Sequence, residues 1–125
     1  MSKISLEGPY LLDLETINLV VTRNSPGVYV LGSEIESIRL PTFNLSAFKV
    51  RYVGRSDKNL GLSLKEKIGI YPKFKFAYAE TPESAFRLEC KLWHNYGGPN
   101  GDFDMKAHPR GPEGSGLRCI RCQSL

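Results

Sequence analysis

Two short segments decide the fold: Pro26-Gly27-Val28-Tyr29-Val30-Leu31-Gly32 and, downstream, Arg51-Tyr52-Val53-Gly54-Arg55-Ser56. Each is an apolar run of β-branched and aromatic residues bounded by glycine, the composition of a buried strand that presents a tyrosine. The spacing predicts strands over 27–31 and 49–54. Between them the pattern breaks around Pro41, Asn44 and Ser46, and a loop is expected over 32–48.

On the N-terminal side, residues 9–21 mix Leu11, Leu12, Leu14, Ile17, Leu19, Val20 and Val21 with Asp13, Glu15 and Asn18, which suits a short amphipathic helix or an extended lead-in covering one sheet face. Downstream, Ser56-Asp57-Lys58-Asn59 offers helix-capping side chains ahead of Leu60, Leu62, Leu64 and Ile68, and Gly69 and Pro72 end that helix. Lys73-Phe74-Lys75-Phe76-Ala77-Tyr78-Ala79 alternates basic and aromatic residues, as a half-exposed strand does. A second helix starts at Thr81-Pro82-Glu83-Ser84, with a cap, a first-turn proline and an acid near the positive end of the helix dipole. Ala85, Leu88, Leu92 and Trp93 recur at helical spacing and are expected in the core. Gly97-Gly98-Pro99 stops it.

With 125 residues, 41% hydrophobic and 24% charged, the chain has the composition of one globular domain with a modest core. Its core is expected over about 26–96, with a loop-rich tail over 97–125. A net charge of +4 suits a polyanionic partner, because lysine and arginine release counterions from phosphates. No apolar run reaches the roughly 20 residues needed to span a bilayer, and the first residues lack the pattern of a signal peptide. A cytoplasmic location is the resulting expectation.

The order Gly27-Val28-Tyr29, Tyr52-Val53-Gly54, helix, strand, and a helix carrying Ala85-Phe86-Arg87-Leu88-Glu89 resembles the GIY-YIG nuclease family over roughly residues 26–109. The branch it is most similar to ends in a His-Pro segment and a C-x-x-C, here His108-Pro109 and Cys119 to Cys122. The resemblance implies an α+β fold with a small three-stranded antiparallel sheet flanked by helices. It also implies cleavage of phosphodiester bonds in DNA with one divalent cation, Mg2+ or Mn2+. By resemblance Tyr29 orients or deprotonates the attacking water, Tyr52 hydrogen-bonds near it and Glu89 holds the metal. A single carboxylate suits magnesium, which keeps most of its waters.

Two positions depart from the family. Ser63 falls where the family carries an arginine, with Arg55, Lys65 or Lys67 as substitute cations. Met105 falls where it carries an asparagine, with Asn95 and Asn100 nearby. Residues 30–51 also put 22 positions between the tyrosines, about twice the family's usual spacing. These departures keep a second class of function open: an inactive GIY-YIG-fold module that binds nucleic acid through Lys65, Lys67, Lys73, Lys75, Arg87 and Lys91, with Arg110 as a further phosphate contact. Phe74, Phe76 and Trp93 would then be available for base stacking. A third is a protein-interaction domain of a toxin or defence system.

The tail holds several glycines and prolines and few large apolar residues, too little to order itself by burial. Cys90 and His94 lie one helical turn apart, and Cys119 and Cys122 have the C-x2-C spacing at which two thiolates meet one ion. Four ligands from Cys90, His94, His108, Cys119 and Cys122 would make a tetrahedral structural zinc site, His108 competing with Cys90. Such a site supplies folding energy that the tail lacks. Zinc is therefore expected to copurify near stoichiometry when no chelator is used; metal analysis finding below about 0.2 ion per chain excludes a structural site.

Overall fold

The computed structural model describes residues 5–39, 44–96, 109–112, 114, 116 and 117, with the backbone alone for 34–39 and 44–47. Among these residues the chain forms four strands and three helices: β1 (Glu7–Leu11), α1 (Leu14–Val20), β2 (Gly27–Arg39), β3 (Asn44–Ser56), α2 (Leu60–Lys65), β4 (Lys73–Tyr78) and α3 (Pro82–Asn95). The strands make one antiparallel sheet in the order β1-β4-β2-β3. The class is α+β as expected, but the sheet has four strands rather than three. The extra strand comes from the 9–21 segment, whose two readings both hold in part. Residues 7–11 pair along β4, and Asp13 then caps α1 by accepting from the Thr16 N–H at 2.8 Å.

A second correction concerns the expected loop over 32–48. The strands flanking it continue as a ribbon, 13 residues out to Arg39 and 13 back from Asn44, past the last β4 pairing at Gly32 and Lys73. Ser33-Glu34-Ile35-Glu36 is polar enough to read as loop. Two strands that pair with each other satisfy the backbone groups between them and leave the outer ones to water, so polarity does not prevent the ladder.

Because β2 lies inside the sheet, both its faces are buried, and its apolar run is continuous rather than alternating. Tyr29 and Leu31 pack with Phe74, Phe76, Leu12, Ile17, Leu60 and Leu64 under α1 and α2. Val28 and Val30 pack with Val50, Val53 and Leu92 under α3. The α2 cap is Asn59, accepting from Leu62 N–H at 3.1 Å, and α3 begins with a capping box between Thr81 and Ser84. Ala85, Leu92 and Trp93 are buried and Leu88 is half-buried, as the helical spacing requires. Phe86, Glu89 and Cys90 join them. From the tail, Pro109 is buried and Leu117 packs against Phe86 and Cys90. His108, Cys119, Cys122, Asn100 and Met105 lie outside the described residues. Among the described residues, no helix is long and apolar enough to cross a membrane.

A close approach in the sheet falls at Gly54, which pairs across the ladder with Tyr29. The Tyr29 ring lies over this glycine so closely that an added Cβ would overlap the ring and its hydroxyl. Gly54→Ala is expected to cost about 1–3 kcal/mol of stability through overpacking. Denaturant melts should show a smaller loss when the substitution is made in a Tyr29→Leu background. Equal losses in both backgrounds would mean the glycine serves something other than the ring.

Candidate active site

Gly54 admits the Tyr29 side chain across the edge strand β3, and this positions the candidate site. Tyr29 is 3% exposed and stacks on Tyr52, with ring centroids 6.4 Å apart and planes 14° from parallel. Tyr52 also meets Tyr71 at 6.4 Å, and the Lys67 Nζ sits 4.7 Å from the Tyr52 ring centre. Burial, reinforced by Tyr52 and by the negative charges of Glu89 and Glu66, pushes the Tyr29 phenol well above the ordinary tyrosine range. Its proton therefore stays on at neutral pH.

One residue further along β3 the side chain points to the opposite face. There Arg55 meets α3: its Nη1 donates to Glu89 Oε1 at 2.7 Å and to the Arg110 carbonyl at 2.6 Å, and its Nε donates to Asp57 Oδ1 at 2.6 Å. The guanidinium lies 5.4 Å from the centre of the Phe86 ring. Glu89 is 7% exposed. Burial pushes its carboxyl up to about 7, against the opposing pull of Arg55, and Asp57 adds to the rise. Asp57 can be found in the sequence after the fact: it stands two residues from Arg55, at the spacing that returns to the same side of an extended chain.

The sequence-derived candidates thus separate. Tyr29, Tyr52, Glu66 and Lys67 gather on the α2 side of β3, and Glu89 with Arg55 on the α3 side. They are close enough for the Glu89 charge to reach the Tyr29 phenol. Arg55 is engaged by two carboxylates, so the cation beside the tyrosine pair is Lys67. Ser63 is half-buried on α2, and Asn95 is exposed at the end of α3. Sequence reasoning missed Glu66 because an acid at a helix end reads as an ordinary solvated residue.

The basic residues do not form one face. Lys65 and Lys67 belong to the α2 layer. The β4 alternation that buries Phe74 and Phe76 under α1 and α2 turns Lys73 and Lys75 to the α3 side, where Lys75 sits 5.2 Å from the Phe48 ring centre. On that side Arg87 pairs with Glu83 at 3.5 Å and, with Lys91, lines a cleft of about 390 Å³. Phe74, Phe76 and Trp93 are buried and are not surfaces for base stacking.

As for metals, Cys90 is buried and His94 half-buried on α3, the latter ring edge-on to Trp93 at 5.0 Å. Among the described residues no group of three or more His, Cys, Asp and Glu side chains is arranged to hold an ion. At Glu89 the oxygen not used by Arg55 has no partner among the described residues. That oxygen is a hard donor of the kind Mg2+ takes alongside its own waters.

No family model, curated protein or solved structure matches this chain.

A carboxyl raised on folding binds its proton more tightly in the folded state. The stability it contributes is complete below the ordinary value of 4.5 and declines as pH rises through about 7. Glu89→Gln, which cannot ionise and still offers Arg55 an acceptor, should therefore gain in Tm relative to wild type between pH 5 and pH 8. A Tm difference that is constant across that range, read by scanning fluorimetry, would show that Glu89 is ionised throughout.

Proposed function

We propose that this chain is a divalent-metal-dependent endonuclease of the GIY-YIG kind acting on DNA. The observation that carries the reading is the meeting, around one edge strand, of a buried protonated tyrosine, a second tyrosine stacked on it beneath a lysine, and a buried carboxylate with one open oxygen.

Phosphodiester hydrolysis needs a positioned water, a counter-charge for the phosphate and a dry site that strengthens both. Tyr29, protonated at neutral pH, acts by orienting the water through its phenol oxygen rather than by taking a proton from it. Tyr52 limits the movement of the Tyr29 ring, and the Lys67 ammonium supplies positive charge on the same side. Glu89 would hold Mg2+ through its open oxygen. Held there, a divalent ion would supply polarisation of a water and counter-charge for the phosphate. Arg55 keeps the buried carboxylate from standing uncompensated and fixes its orientation through Asp57 and the Arg110 carbonyl. The zinc expectation for the tail gains support from Leu117, which packs against Cys90 two residues before Cys119.

One observation favours an inactive nucleic-acid-binding module: Arg55 already pairs with Glu89 at 2.7 Å and so competes with a metal for it. Nicking of supercoiled plasmid separates the two readings. Magnesium-dependent product is expected from wild type, with a loss on the order of a hundredfold or more in Glu89→Gln and Tyr29→Phe. Cleavage that persists unchanged in both variants marks a contaminant. Activity that emerges only in Ser63→Arg identifies a scaffold that has lost the reaction.

A further inference from the structure

We propose that the cleft between α1 and α2 is a second phosphate-binding site, engaging the backbone of the strand on which the tyrosine site acts. The proposal rests on the DNA reading above and extends it to a surface that Tyr29, Tyr52, Arg55 and Glu89 do not line.

The cleft has a volume of about 350 Å³, within the roughly 300–1,000 Å³ of small-ligand sites. Its floor is Ile17, Val21 and Gly61, and its polar wall includes Arg23, Asn24 and Lys65. No carboxylate lines it, and among the described residues neither cation has an acidic partner. Two cations that lack an acidic partner among the described residues, set in one concavity, focus positive potential, the condition that concentrates anions.

The donors are also pre-ordered. The Tyr78 hydroxyl accepts from the backbone N–H groups of Thr22 and Arg23 at 2.9 and 3.3 Å, and the Arg23 guanidinium rests 5.1 Å from the centre of that ring. Across the cleft, Asn59 Nδ2 donates to Asn24 Oδ1 at 2.9 Å. That leaves the Asn24 amide hydrogens with no acceptor among the described residues. A guanidinium, an ammonium and an amide supply donors that suit phosphate oxygens, and no carboxylate in the lining opposes an anion.

Position ties the cleft to the tyrosines. Its wall includes Asn59, Gly61, Leu62 and Lys65, along α2, and two residues past Lys65 is Lys67, on the Tyr52 ring. A strand lying along α2 would therefore pass from the cleft directly onto the tyrosine pair.

The test is binding of a short single-stranded oligonucleotide and its duplex to Glu89→Gln protein, followed by fluorescence anisotropy across a salt series. Arg23→Gln with Lys65→Gln should weaken binding roughly tenfold or more and flatten the log–log salt slope by about 1 to 2. Lys65→Gln alone, which leaves the Arg23–Tyr78 contact intact, should give part of both effects. Arg87→Gln with Lys91→Gln removes the same charge on the other side of the sheet and should do less. An unchanged slope, an equal loss from the α3-side pair, or no binding by the parent protein overturns the proposal. Cleavage is scored separately on wild type with magnesium. Salt-sensitive binding through the cleft without any cleavage leaves the cleft standing and removes the nuclease reading. Cleavage that the cleft variants reproduce at wild-type rate and affinity does the reverse.

Discussion

The rest of the structure depends on the pairing of Tyr29 with Gly54 and, one step along, of Val28 with Arg55. Side chains alternate faces along a strand, so this one register sends a tyrosine toward α2 and an arginine toward α3. A slip of β3 by one residue would press the Arg55 guanidinium into the layer formed by Ile17, Leu60, Leu64, Phe74 and Phe76, and would set Val53 or Arg55 opposite Tyr29 in place of Gly54. The glycine enforces the choice, since no other residue type leaves room for the phenol over the edge strand.

Electrostatics then follow from burial. Glu89 is taken out of water by α3 packing on β3, which by itself favours the protonated acid. Arg55 offsets part of that cost, and Asp57 holds the arginine from the other side. The resulting carboxyl sits near neutrality, a state in which modest changes in pH or in bound cation alter its charge. Tyr29 lies in the same field and is pushed in the same direction: burial first, then Tyr52, Glu89 and Glu66, oppose a phenolate and secure its proton.

The two layers also divide the chain's positive charge. Alternation along β4 commits Lys73 and Lys75 to the α3 side, whereas Lys65 and Lys67 belong to α2 and Arg23 to the turn after α1. A modest overall excess of four positive charges thus becomes an uneven field. Among the described residues, the cations on the α2 side beside the tyrosines and the cleft have no acidic partner, while on the α3 side Arg87 is paired with Glu83.

Much of the fold was legible from local patterns. Glycine-bounded apolar runs marked β2 and β3 where they are buried, basic–aromatic alternation marked β4, and the Thr81 cap with Pro82 marked α3, because propensity, capping and periodicity act over a few neighbouring residues. The polar ribbon from Ser33 to Phe48 and the strand at Glu7–Leu11 were not, since each is stabilised by a partner distant in sequence rather than by its own composition. For the candidate site, the sequence by itself determined the identity and order of Tyr29, Tyr52 and Glu89. Only the tertiary structure decided that Arg55 neutralises Glu89, that Lys67 attends the tyrosines and that the Glu89 carboxyl titrates near 7. The physical reason is that desolvation and Coulomb energy depend on which charges burial brings together, and residues 55 and 89 meet through a packed helix rather than along the chain.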